Sequence, residues 1–151
     1  MAETDITEEW RPVVGFEGRY EVSDMGRVRS LAREWTQVTA TGTPHVHRVK
    51  GKLLKPGRSM NHYWTVALGR GNSKTVHSLV AQAFIGPRPD RCEVRHKNGD
   101  RGDARAENLE YGTRHQNIMD AIRHGTWMSA GRKAHCEIMG PLLHTYRRDR
   151  A

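Results

Sequence analysis

The chain has 151 residues and a formal net charge of +8, with 25 Lys and Arg against 17 Asp and Glu, and 36% of its residues are hydrophobic. This size allows one domain, or two small modules with a modest core. Its longest apolar runs fall well short of the ~20 residues of a transmembrane helix, and its acidic start is the reverse of a secretory signal. Two cysteines are too few for a disulfide framework or a four-cysteine zinc site. We therefore expect a cytoplasmic protein with a polyanionic partner and no membrane contact.

The positive charge is concentrated in the first part of the chain. Residues 11–89 contain 13 basic and 4 acidic side chains, whereas residues 90–127 contain 7 of each. This division indicates a module that holds phosphate beside a balanced unit that acts on it. From the charge alone, it is equally favoured that the basic face only contacts solvent.

The sequence of the first module predicts strands and turns. Alternating apolar and charged residues with a Ser23–Gly26 turn predict a hairpin over residues 16–31, and the polar, Thr-rich residues 32–47 predict a loop or an irregular arm. A second strand pair is predicted over 63–68 and 74–76.

Basic side chains on or beside these strands are candidate DNA contacts, because a small twisted sheet with cationic turns can follow a duplex. The candidates are Arg27, Arg29, Lys50, Lys52, Lys55, Arg58, Arg70 and Lys74.

From His77 the apolar residues follow a helical period that ends at Gly86-Pro87. His77 opens this helix, where a helix-entry hydrogen bond is favoured over catalysis. Two short strands follow, separated by a loop rich in Asn, Gly and Asp. A final helix begins at Thr113, which forms a predicted capping box with Gln116.

Three residues in this last unit have side chains suited to phosphodiester hydrolysis. His96 ends the first strand and, being mostly neutral at pH 7, can accept a proton from water. Asn117 lies in the first turn of the helix, where its carbonyl oxygen can ligate a hard cation. Asn108 precedes the second strand and is better suited to hold the loop, because its amide both donates and accepts. We expect His96 to be accessible and to face Asn117 across the hairpin.

His96 to Asp100, Glu107 to Thr113, and Asn117 resemble the ββα-metal motif of HNH endonucleases, and Val76 to Phe84 resembles the segment before it in the phage-type subfamily. Upstream, the residues from Glu9 to Leu31 are similar to the NUMOD4 motif. The two modules occur in this order in intron-encoded homing endonucleases and their free-standing relatives.

This resemblance implies His96 as general base, Asn108 as the loop-bracing residue and Asn117 as a ligand of one divalent ion, Mg²⁺ or Mn²⁺. One position departs from the family. Members with a mapped metal site have Asp or Asn just before the histidine, where this chain has Arg95, and arginine cannot ligate a cation. Two alternatives remain open: Asn117 holds the metal, helped by one of several neighbours, or Arg95 itself stands near the scissile phosphate as a DNA contact. The possible helpers are Glu93, Asp100, Asp103 and His115.

We expect an α+β protein with three parts: a β-rich DNA-binding module over 1–76, an HNH ββα-metal (His-Me finger) unit over 77–127 and a basic tail over 128–151. The expected function is metal-dependent cleavage of double-stranded DNA by nicking, by double-strand cutting or in homing, with a monomer favoured. The alternative is a DNA-binding protein whose HNH site is degenerate and inactive.

Overall fold

The structure is a computed structural model, and it describes residues 7–125. Within that range the chain is α+β, as predicted: short antiparallel strands form the first part, and a hairpin with a helix forms the second. The predicted basic tail over 128–151 lies outside the described residues. No helix in the described part is long and apolar enough to cross a bilayer.

The first sheet contains the hairpin predicted over residues 16–31. Its four antiparallel strands lie in the order β1-β2-β3-β6. They are β1 (Trp10–Pro12), β2 (Tyr20–Ser23), β3 (Val28–Ser30) and β6 (Lys52–Leu53). The turn between β2 and β3 requires glycine, because Gly26 has φ +79° and a Cβ there would lie 3.3 Å from Ala104.

The prediction of a loop or an irregular arm over residues 32–47 is wrong. Strands β4 (Arg33–Val38) and β5 (Pro44–Val49) pair over their whole length and form a two-stranded ribbon, called here the β4–β5 ribbon. Most of its residues are exposed on both faces, so the usual alternation of apolar and polar residues is missing. Its β-branched Thr and Val residues favour strands nonetheless.

A third sheet leads into the first helix. Its strands are β7 (Gly57–Arg58), β8 (Trp64–Ala67) and β9 (Ser73–Thr75), which confirms the second predicted strand pair. Helix α1 (Val76–Val80) follows at once and continues as a π-helical turn over Ala81–Ile85.

The second part of the chain is the predicted strand, loop, strand and helix. Strand β10 (Cys92–His96) pairs with β11 (Leu109–Thr113), after a short 3₁₀ turn over Ala106–Asn108, and helix α2 (Arg114–Arg123) follows. The predicted capping box is present: the Thr113 side chain accepts from the Gln116 amide, and the Gln116 side chain accepts from the Thr113 amide at 2.8 Å.

One hydrophobic core joins the two parts. Val22 of β2, Val66 of β8 and Val80 of α1 are at most 3% exposed, and the same cluster includes Leu109 of β11. Full burial of such side chains contributes about 1.5–3 kcal/mol each. The first sheet and the β10–β11 hairpin are therefore held in a fixed relation by packing.

Candidate active site

His96 lies at the end of β10 and is only 8% exposed. Its ring stacks on Tyr63, with centroids 5.9 Å apart, and lies nearly perpendicular to the ring of His77 at 5.3 Å. Nε2 of His96 is buried and has no hydrogen-bond partner among the described residues. A buried nitrogen without a partner is costly and can accept a proton.

The surroundings of His96 favour its neutral form. Burial lowers the pKa of His96 below its usual value of 6.5, the carboxylates of Asp100 and Asp103 raise it, and Arg101 lowers it, with a net decrease. An imidazole with a lowered pKa is uncharged at neutral pH and retains its capacity to act as a base.

Asn108 binds the loop that follows His96. Its Oδ1 accepts from the Asn98 amide at 3.0 Å, and its Nδ2 donates to Asn98 Oδ1 at 3.0 Å and to the Asp103 carbonyl at 2.9 Å. The side chain is 7% exposed. One buried amide therefore fixes both ends of the loop.

Replacing Asn108 by Ala should destabilise the protein by about 2 kcal/mol, because the three hydrogen bonds that this buried side chain makes to the loop are lost. Chemical denaturation monitored by circular dichroism measures this change. Asn72→Ala is the matched control: Asn72 is exposed, and its side chain donates one long hydrogen bond, 3.5 Å, to the Arg70 carbonyl. Equal stabilities of the two variants would contradict the bracing role.

Asn117 lies in the first half of α2 and is half-buried. Its Nδ2 donates to Glu93 Oε2 at 2.8 Å. Glu93 belongs to β10 and points to the same side as Arg95, two residues along the strand, because alternate side chains of a strand share a face. The helix amide and a strand carboxylate thus lie side by side between the hairpin and α2.

Arg95 lies between the hairpin and α2. Its side chain is 14% exposed and forms ion pairs with Asp120 of α2 and with Glu110 of β11. The Nε–Oδ2 distance to Asp120 is 2.7 Å. Gly112 of β11 leaves the room for this side chain, since a Cβ there would overlap it. Arg95 is therefore engaged inside the free protein, and its role as a DNA contact stays a prediction.

The other suggested metal helpers have different roles or positions. Asp103 is paired with Arg105, which lowers the pKa of Asp103 to about 2, and it also accepts from Asn98 at 2.9 Å. Asp100 accepts from the Gly102 amide at 2.8 Å. His115 is exposed on α2. Within residues 7–125 no three His, Cys, Asp or Glu side chains form a metal-binding group.

Glu93 and Asn117 are two neighbouring side chains that could hold a divalent ion. A carboxylate and an amide carbonyl are ordinary ligands of Mg²⁺, which takes the rest of its shell from water and phosphate. Three carboxylates and two guanidinium groups lie between the hairpin and α2, so the charge there is slightly negative without a metal. These are Glu93, Glu110 and Asp120 with Arg95 and Arg123.

The expectation that an accessible His96 faces Asn117 does not match the structure. Glu93 and Arg95 contact α2, whereas His96 is buried against Tyr63 and His77. The physical reason is the alternation of β10, because successive side chains of a strand leave on opposite faces.

The predicted DNA contacts of the first part lie mainly at the surface. Arg29 is half-buried beside Glu21, with its guanidinium 4.2 Å from the ring centre of Trp10, and the exposed Arg27 pairs with Glu8. The remaining candidates are exposed: Lys50, Lys52, Lys55, Arg58, Arg70 and Lys74.

Sequence reasoning missed the contact of Tyr63 and His77 with His96. Tyr63 was predicted in a strand and His77 at a helix entry, both far from His96 along the chain. Nothing in the local pattern links them, because the contact arises only when α1 and the residue before β8 pack against the end of β10.

Three features define the ββα class of nuclease units. They are a β-hairpin with a histidine at the end of its first strand, a braced loop, and a crossing helix that carries a polar amide. Residues 74–119 match the HNH endonuclease family, and residues 8–69 match the NUMOD4 motif. The chain therefore contains an HNH endonuclease segment, with a NUMOD4 motif ahead of it.

Similar proteins support the same assignment. The DNA endonuclease I-HmuI of Bacillus phage SP01 is 29% identical over 121 residues, which are 78% of this chain and 60% of that protein. The uncharacterized HNH endonuclease L247 of Acanthamoeba polyphaga mimivirus is 30% identical over 124 residues, 77% of this chain and 26% of that protein. A solved structure that describes DNA binding and cleavage by the HNH homing endonuclease I-HmuI matches this chain with a TM-score of 0.62 at 27% identity. The match covers 87% of this chain and 66% of that one. The chain thus spans less than two thirds of the relatives that it matches.

Proposed function

We propose that this protein is an HNH endonuclease that hydrolyses phosphodiester bonds in double-stranded DNA with one divalent metal ion. The proposal rests on one observation: His96 is a neutral imidazole at the end of the first strand of a ββα unit, and its Nε2 has no hydrogen-bond partner within residues 7–125. A monomer that acts in the cytoplasm stays a prediction.

In this proposal His96 takes a proton from the attacking water at an unprotonated ring nitrogen. The ring is buried in the free protein, so DNA binding has to make it accessible. Tyr63 is the half-buried ring stacked on His96, and the exposed Arg101 lies over Tyr63 with its guanidinium 5.5 Å from the ring centre. Movement of this exposed side of the site would open His96 without disturbing the hairpin.

Glu93 and Asn117 would hold the ion, which we propose to be Mg²⁺ or Mn²⁺. When bound, such an ion stabilises the charge that develops on the phosphate and on the departing oxygen. The Arg95–Asp120 pair leaves these two ligands in place because Arg95 is neutralised by neighbouring carboxylates.

The first part of the chain would bind the duplex. A two-stranded ribbon fits the major groove, and the β4–β5 ribbon carries Trp35 stacked on His47, with centroids 5.0 Å apart, beside Arg33. Exposed Lys and Arg residues on the adjoining strands would contact phosphates, so binding should weaken steeply as salt rises.

A plasmid assay tests the activity. Supercoiled DNA incubated with the protein should be nicked or linearised in Mg²⁺ or Mn²⁺ and remain intact in EDTA, because the ion is required for phosphate chemistry. Glu93→Ala should raise the metal concentration needed for half-maximal cleavage, whereas Asp90→Ala, which removes an exposed carboxylate of the loop before β10, serves as the control. Cleavage that persists in EDTA would contradict the proposed chemistry.

A second candidate function is DNA binding with an inactive HNH site. Two observations favour it: Arg95 replaces the expected metal ligand and is locked to Asp120, and His96 is buried. Under this alternative the protein shifts DNA in a gel but leaves plasmid intact in every metal, which is the reverse of the result expected for the enzyme.

A further inference from the structure

The structure places a second histidine against the proposed base. His77 of α1 packs on Tyr63, with centroids 4.6 Å apart, and on His96 at 5.3 Å. Tyr63 also stacks on His96 at 5.9 Å, with an angle of 24° between the planes. Tyr63, His77 and His96 therefore form a three-ring cluster in which each ring contacts the other two.

Helix entry does not account for the position of His77. Thr75 is the N-cap residue of α1, and its hydroxyl donates to the Ser78 hydroxyl at 2.8 Å. The His77 ring instead points across to a different element, the end of β10. Its contacts are those of a side chain that supports His96.

We propose that His77 is a positioning residue for His96, holding the plane of its ring and keeping water from its buried side. This inference rests on the proposed function, in which His96 is the base. His77 itself is not placed on any reacting atom, so it acts through the ring of His96.

The electrostatics agree with this role. Burial, followed by repulsion from His96, lowers the pKa of His77 to about 4. His77 is thus uncharged at every pH at which His96 has to accept a proton. A neutral neighbour that excludes water disfavours the charged form of His96. The charged groups that act on His96 are Asp100 and Asp103, which favour its protonation, and Arg101, which opposes it.

Three variants of the whole chain test the proposal: His77→Ala, His77→Phe and Ser78→Ala. The measurements are the titration of the His96 ring by NMR and the pH profile of single-turnover plasmid cleavage. His77→Ala should admit water, raise the pKa of His96 toward 6.5 and move the acid limb of cleavage to higher pH. The cleavage rate should fall severalfold without a comparable change in DNA affinity.

His77→Phe keeps a ring in the cluster and should leave both the His96 titration and the acid limb near those of the unaltered protein. Ser78→Ala removes the hydroxyl bond at the helix entry and should change neither. The proposal is overturned if His96 titrates unchanged in His77→Ala, or if His77→Phe is as impaired as His77→Ala.

The NMR titration keeps this inference separate from the proposed function. If the unaltered chain binds DNA but cleaves nothing, the endonuclease proposal fails, while the His96 titration in the variants still decides the role of His77. Should a thermal melt show that His77→Ala is unfolded, His77→Gln takes its place, with the same expected rise in the pKa of His96.

Discussion

Replacing His96 by Ala should reduce DNA cleavage by about 10²–10⁴-fold, the usual contribution of a positioned general base. DNA affinity should change little, because the candidate DNA contacts of the first part are exposed or half-buried, whereas His96 is buried. Plasmid nicking and gel-shift titration on the same samples separate the two effects.

The pH dependence of cleavage gives an independent check on His96. Burial lowers the pKa of this imidazole below 6.5, so the base stays unprotonated to lower pH than a free histidine does. Cleavage should fall only as the pH drops below 6.5, with the loss centred at the lowered pKa. A rate that halves above pH 6.5 would argue against His96 as the base.

Because His96 is buried, the alanine variant leaves a cavity and needs a stability control. His96→Gln fills more of the space without providing a base, and should be as inactive as His96→Ala while melting closer to the unaltered protein. Loss of DNA binding together with cleavage in both variants would show that His96 maintains the fold rather than acting on water.

Replacing Arg95 by Ala should destabilise the protein by about 3 kcal/mol, because it leaves a buried carboxylate without its main partner. Asp120 is 12% exposed at its side chain and Arg95 is 14% exposed, so little solvent screens this pair. Arg123 also contacts Asp120, at 3.3 Å, but its side chain is 64% exposed and compensates only in part. Chemical denaturation measures the loss.

A matched control and a double variant make this prediction specific. Arg48→Ala breaks an exposed pair with Glu34, whose side chains are 76% and 54% exposed, and should change the stability little. Arg95→Met combined with Asp120→Leu removes both charges and should be more stable than Arg95→Ala alone. An Arg95→Ala protein as stable as the original would mean that the ion pair does not join the hairpin to α2.

The agreement between sequence and structure is closest where the signal is local. The Thr113–Gln116 capping box fixes the start of α2 because both partners lie within one helical turn. Gly26 marks the β2–β3 turn, since its positive φ disfavours other residues. The β4–β5 ribbon was not predicted, because an exposed ribbon lacks the apolar face from which a strand pattern is recognised.

The sequence by itself determined the ββα unit and the resemblance to HNH endonucleases, and it predicted His96, Asn108 and Asn117 as site residues, because these depend on order and spacing along the chain. Only the tertiary structure decided what each side chain meets. It buries His96 under Tyr63 and His77, pairs Asn117 with Glu93 and commits Arg95 to Asp120. These contacts join residues that are 24 or 25 positions apart, or that come from different structural elements, so the packing of α1 and α2 against the hairpin sets them.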